Sequence, residues 1–83
     1  MRILIKQDED IIAYAVNVVS CSYAGPENGG YQVGFNCLGE SKVILVNVYE
    51  DKSLGDKLVY EIYKNGFIDL TNNENVYIED YDI

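Results

Sequence analysis

The sequence predicts an α+β domain: an antiparallel meander of four to five strands, one C-terminal helix packed on one face, and an acidic extended tail. Three observations carry that expectation. Residues 1–50 are runs of β-branched and aromatic side chains separated by glycine-rich or carboxylate-rich breaks. Residues 53–65 change to a helical spacing that closes on Gly66. Residues 67–83 then carry Asp69, Glu74, Glu79, Asp80 and Asp82, with no lysine or arginine beyond Lys64.

The first run, "RILIK", is short, apolar and bounded by the acidic turn "QDED", as expected of a strand followed by a tight connection. "IIAYAVNVVSCSYA" reads as one long bent strand or two short ones broken near Asn17. Helical spacing also fits Ile12, Ala15, Val16 and Val19, but valine and isoleucine lose rotamer freedom in a helix, which favours the strand. "GPENGG" concentrates three glycines, the only proline and an asparagine, so it is a loop that closes a hairpin with residue 24 opposite 30 or 31. In "YQVGFNCL", Tyr31, Val33, Phe35 and Cys37 alternate with Gln32, Gly34 and Asn36, a strand with one wet face. "GES" turns into "KVILVNVY", whose near-continuous apolar run predicts a central strand covered on both sides.

The helix is expected to begin at Ser53, whose hydroxyl can cap free amides, with Asp56 three residues on completing a capping box. Leu54, Leu58, Ile62 and Val59 supply its buried stripe, and Lys64 and Gly66 supply the stop. "FIDL" and "NVYIEDY" are short strands or a tail laid across the sheet. One helix covers one sheet face. The other face is then wet, covered by the tail or buried against a second copy, with Tyr14, Tyr23 and Tyr31 as candidates for it.

At 83 residues the chain is one domain, 1–83, and buries about 60 to 65% of the surface its unfolded form exposes. Apolar residues make up 48% and charged residues 24%, the composition of a folded globular domain. No apolar run approaches the roughly 20 residues of a membrane span, and no secretory signal opens the chain, so the expected location is cytoplasmic. Six basic against fourteen acidic side chains give a net charge of −8, which repels phosphate backbones and anionic membranes. Nucleic acid and membrane are therefore excluded as direct partners. The same charge favours basic proteins, although it also serves solubility.

Catalysis lacks its usual parts. There is no histidine, which removes Ser-His, Cys-His and His-metal arrangements together. No phosphate-binding glycine motif or calcium loop occurs, and Asp8, Asp10, Glu50 and Asp51 fall where carboxylates are merely solvated. Cys21 and Cys37 have neither a metal-binding spacing nor a hairpin register that brings them together, so free, packed thiols are expected. No enzymatic activity, cofactor or metal is assigned.

The last segment differs in kind. Its carboxylates alternate with Tyr77, Ile78, Tyr81 and Ile83, a pairing of large contact area with unneutralised charge. Asp69, Glu74, Tyr77, Glu79, Asp80, Tyr81 and Asp82 are accordingly the candidate partner-binding residues. Carboxylates spread over such a surface can imitate a row of phosphates and occupy a basic, nucleic-acid-handling protein. The competing expectation is a homodimer or larger self-assembly, paired through an exposed sheet face or edge, with acidity serving solubility only.

From Met1 to about Gly66, "MRILIKQDEDIIAY", the glycine-rich hairpin and "KVILVNVYEDKSLGDKLVYEIYKNG" resemble small uncharacterised α+β proteins of Firmicute bacteria and their phages. The likeness is one of layout. In size, acidity and make-up the chain also resembles phage-encoded inhibitors of bacterial defence nucleases, including anti-CRISPR proteins that mimic DNA, with "SLGDKLVYEIYKNGF" the nearest stretch. The resemblance implies a non-catalytic inhibitor in a bacterial cytoplasm. It transfers no functional residue.

Overall fold

The structure, a computed structural model, describes residues 1–80, apart from the side chain of Val18. Its strands and α-helix are β1 (Arg2–Gln7), β2 (Asp10–Tyr23), β3 (Tyr31–Cys37), β4 (Lys42–Tyr49), α1 (Lys52–Asn65), β5 (Phe67–Asp69) and β6 (Val76–Asp80), with a short 3-10 turn at Pro26–Asn28 in the β2–β3 loop. The class is α+β, and the first four strands form the expected antiparallel meander. Two more strands flank it, giving the order β5-β1-β2-β3-β4-β6. β5 lies parallel to β1, and β6 antiparallel to β4. The segment expected as short strands or an extended tail is therefore built as strands into both edges of the sheet as far as Asp80. The rest of it, with Tyr81 and Asp82, lies outside the described residues.

β2 is a single strand of fourteen residues, irregular between Val16 and Val18, where the sequence placed the break. Its first half pairs with β1 and its second half with β3, so this strand carries the sheet around a corner. The bend is required by the chain's own reach. Leu70 and Asn75 are five residues apart and span at most about 18 Å. Five strand spacings in a flat sheet would separate β5 from β6 by about 24 Å. The sheet must therefore curl, and α1 lies on the inner side.

The core fills that inner side. Ile3, Ile5, Tyr14, Val16, Val19, Val33, Phe35, Cys37, Ile44, Val46, Val48, Ile68 and Leu70 meet Leu58 and Ile62 of the helix, and all are buried. Burying each such large side chain contributes about 1.5–3 kcal/mol. Gly55 is the point of closest approach, because a Cβ there would lie 2.5 Å from Cys21 Sγ.

Several expectations are corrected here. The helix starts one residue early and is capped by Asp51, whose Oδ1 accepts from Leu54 N–H at 3.1 Å, and not by Ser53. A tight turn out of β4, with Asp51 N–H donating to Val48 C=O at 3.0 Å, brings the aspartate to the capping position first. Asp56 is not part of a capping box but pairs with Lys52 at 2.7 Å. Leu54 is exposed, since Gly55 takes the sheet-facing position beside it. β4 is not covered on both faces: Ile44, Val46 and Val48 are buried, while Val43, Leu45 and Asn47 lie half-buried on the outer face. Tyr14, Tyr23 and Tyr31 are not on the outer face. Tyr14 is in the core, Tyr31 packs against it, and Tyr23 meets Tyr31 edge-on at 5.2 Å.

The remaining local readings hold. The hairpin takes the register Tyr23 opposite Tyr31, so Cys21 faces Val33 while Cys37 faces Val16, and both thiols are free. Gly66 ends the helix at φ 71°, its N–H donating to Ile62 C=O at 2.7 Å.

Candidate binding edge

The carboxylates of the last segment divide between the two edges of the sheet. Asp69 closes β5, on the edge opposite β6. Its carboxylate is engaged locally, accepting from the Thr71 N–H at 3.0 Å and the Thr71 hydroxyl at 2.7 Å. These bonds, the backbone one foremost, hold its pKa below the ordinary carboxylate value. Asp69 therefore separates from the candidate set.

Glu74, Tyr77, Glu79 and Asp80 stay together along β6 and the turn before it. That turn is shaped by its own asparagines: Asn73 N–H donates to Leu70 C=O at 3.1 Å, and Asn75 N–H to Asn73 Oδ1 at 2.8 Å. Glu74, Glu79 and Asp80 are exposed. The ion pairs among the described residues are Lys42–Glu40, Lys52–Asp56 and Lys57–Glu61, so none of these three carboxylates is neutralised by one.

Tyr77 does not stand free as an anchoring side chain. It is half-buried on the outer face, where Gln32 Nε2 donates to its hydroxyl at 2.6 Å and to Asn47 Oδ1 at 2.9 Å. The hydroxyl in turn lies 3.5 Å from Asn47 Oδ1. This cross-strand network ties β6 to β4 and β3 and holds the edge strand in register.

Tyr49 is a feature the sequence reading did not single out. It takes φ 55°, rare for a tyrosine, and is half exposed. Its ring reaches the place where a Cβ on Gly29 would sit, 3.0 Å away, and its carbonyl oxygen is 2.6 Å from the corresponding point on Gly30. Its hydroxyl donates to Asn75 Oδ1 at 3.4 Å, which joins the β2–β3 loop to the turn that precedes β6. The two glycines after "GPEN" were the available signal, since only a residue without Cβ accepts a ring so close.

The remaining carboxylates are dispersed. Asp8, Glu9 and Asp10 lie at the β1–β2 turn, Glu27 and Glu40 at two further turns, Glu50 and Asp51 before the helix, and Asp56 and Glu61 on it. The charge is thus not gathered on one face. Burial raises the pKa of Cys21, with Asp56 adding to it, and burial followed by Glu40 raises that of Cys37, which keeps both as thiols. Among the described residues there is no group of three metal-ligating side chains, and no helix is long and apolar enough to cross a membrane.

No family model, curated protein or solved structure matches the chain.

Proposed function

We propose that this chain is a non-catalytic acidic binding protein, of the phage or mobile-element inhibitor kind, that occupies the basic nucleic-acid-binding surface of a target protein. The observation that carries the reading is the group of exposed carboxylates, Glu79 and Asp80 on the edge strand β6 and Glu74 in the turn before it, that form no ion pair among the described residues. Carboxylates on a strand held by β4 are presented without the ordering cost of a loose tail, and a basic surface would be drawn to them electrostatically. The contact is a short acidic edge and not a long phosphate-like row, because Asp69 belongs to the other edge and most other carboxylates lie at turns. The net charge of −8 assists capture over a Debye length of about 8 to 10 Å.

The test is displacement of DNA from a panel of bacterial defence nucleases, read by mobility shift at low and at physiological salt. The expected result is release of DNA from at least one nuclease, weakening as salt rises. Glu74→Gln, Glu79→Gln and Asp80→Asn combined remove three exposed charge contacts worth about 0.5 kcal/mol each, a loss of about ten-fold. No release from any nuclease at low salt would overturn the reading.

A further inference from the structure

Among the described residues, the outer edge of β6 carries an unused half of a β-ladder. Asn47 N–H donates to Asn75 C=O at 3.0 Å, which fixes the phase of the β4–β6 pairing. Hydrogen-bonded pairs alternate along an antiparallel ladder, so the pairs Leu45–Tyr77 and Val43–Glu79 are the bonded ones that follow. The N–H and C=O groups of Val76, Ile78 and Asp80 therefore point away from β4. β6 ends the strand order, and among the described residues no backbone group bonds to them from outside.

We infer that the partner engages by adding a strand to this edge, through an extended segment in which arginine or lysine alternates with apolar residues. The inference rests on the proposed function and deepens it, naming how the basic partner is held. The alternation follows from the two faces of β6. Val76 and Ile78 are packed against the core but only partly covered, so apolar residues of an incoming strand would lie beside them. On the other face stand Tyr77 and Glu79, where a basic side chain meets a carboxylate that forms no ion pair within the described residues. Asp80 and Glu74 supply further charge at the two ends. A second copy of this chain is the poorer occupant, since it brings the same carboxylates and a net charge of −8 to the edge.

The probe is a synthetic peptide of alternating arginine and valine, compared with the same peptide N-methylated at every residue, which removes the donors of both edges and leaves the charge. Binding is read by fluorescence anisotropy on the full chain. The variant Val76→Pro deletes one outward donor at the first position of an edge strand, where proline is tolerated. The parent peptide is expected to bind, N-methylation to weaken it at least ten-fold, and Val76→Pro to weaken it several-fold while the protein stays folded, with a small loss of stability from the valine's core contact.

Equal binding of the two peptides would overturn strand addition while leaving the charge-based function standing, and so would failure of the parent peptide to bind. Strand addition that holds while no nuclease releases DNA would remove the proposed target class alone. If Val76→Pro unfolds the protein, the N-methylated peptide still decides, because it needs no variant.

Discussion

Replacing Gly55 with alanine sets two opposed effects against each other at the contact between helix and sheet. In an exposed helix the change would stabilise by about 1 kcal/mol, because glycine loses more backbone freedom on folding than alanine. Here the added methyl would lie 2.5 Å from Cys21 Sγ, 3.2 Å from Val48 Cγ2 and 3.4 Å from Val33 Cγ2. The sulfur contact must open by more than 1 Å to reach an ordinary separation, and the two valines block a sideways shift. Overpacking of this kind costs about 1–3 kcal/mol. The balance is a net loss of about 1 kcal/mol, or about 4–8 °C in Tm for a domain of this size. Urea unfolding of Gly55→Ala, Cys21→Ala and the double variant forms a cycle that isolates the contact. With the sulfur gone the alanine should become stabilising, so the cycle should show a coupling of about 2 kcal/mol. A Gly55→Ala variant more stable than the parent, with Cys21 intact, would show that the helix is not seated on β2 and β4 as described.

Three further outcomes follow from the same geometry. Asp51→Ala should destabilise by about 1 kcal/mol, because it removes the cap on Leu54 N–H, whereas Ser53→Ala should change little; urea midpoints of the two variants separate them. Both thiols should react slowly with a thiol reagent in the folded protein at pH 8 and fully in urea, since burial favours their neutral forms; fast labelling of either in the native state would contradict the packing. Asp69 has a folded pKa below its unfolded one, so its contribution is present above the unfolded carboxylate pKa and is lost as pH falls through the folded value. Thr71→Val keeps the backbone bond and removes the hydroxyl bond, and should move the Asp69 titration seen by carboxyl NMR part of the way toward its ordinary value.

Local chemistry was legible in the sequence and long-range pairing was not. The alternation of Tyr31 to Cys37, the irregularity near Asn17 and the stop at Gly66 each depend on residues a few positions apart, and the structure has all three. The cap lies at Asp51, two residues before the expected Ser53, because aspartate serves as an N-cap as well as serine does. What decided between them was the turn that leaves β4, which the sequence does not display. Leu54 fits the helical stripe as well as Leu58 does. It is excluded because Gly55 is pressed against Cys21, a residue more than thirty positions earlier. β5 and β6 are harder still: they are strands of three and five residues whose partners, β1 and β4, lie far back in the chain. Periodicity cannot place such short segments, and the loop from Leu70 to Asn75 adds a global constraint by forcing the sheet to curl.

The candidate edge shows the same division. The carboxylates and Tyr77 were visible as residue types, and their alternation along a strand could be read directly. Which edge each would occupy could not be read, because Asp69 and Asp80 have similar sequence surroundings yet finish on different sides of the sheet. The Gln32–Asn47–Tyr77 network joins three strands, and its members are polar residues on wet faces with no individual signature. Tyr77 therefore supports the edge strand instead of projecting from it.

The central claim is that a basic protein is captured at the outer edge of β6. Amide hydrogen exchange across this strand, resolved by NMR with and without a nuclease whose DNA the chain displaces, tests it most directly. Val76 and Ile78 should exchange quickly in the free protein, Tyr77 and Glu79 slowly, and complex formation should slow the first pair to match the second. Protection of all four before the partner is added, or no change in Val76 and Ile78 once it is bound, would contradict the account.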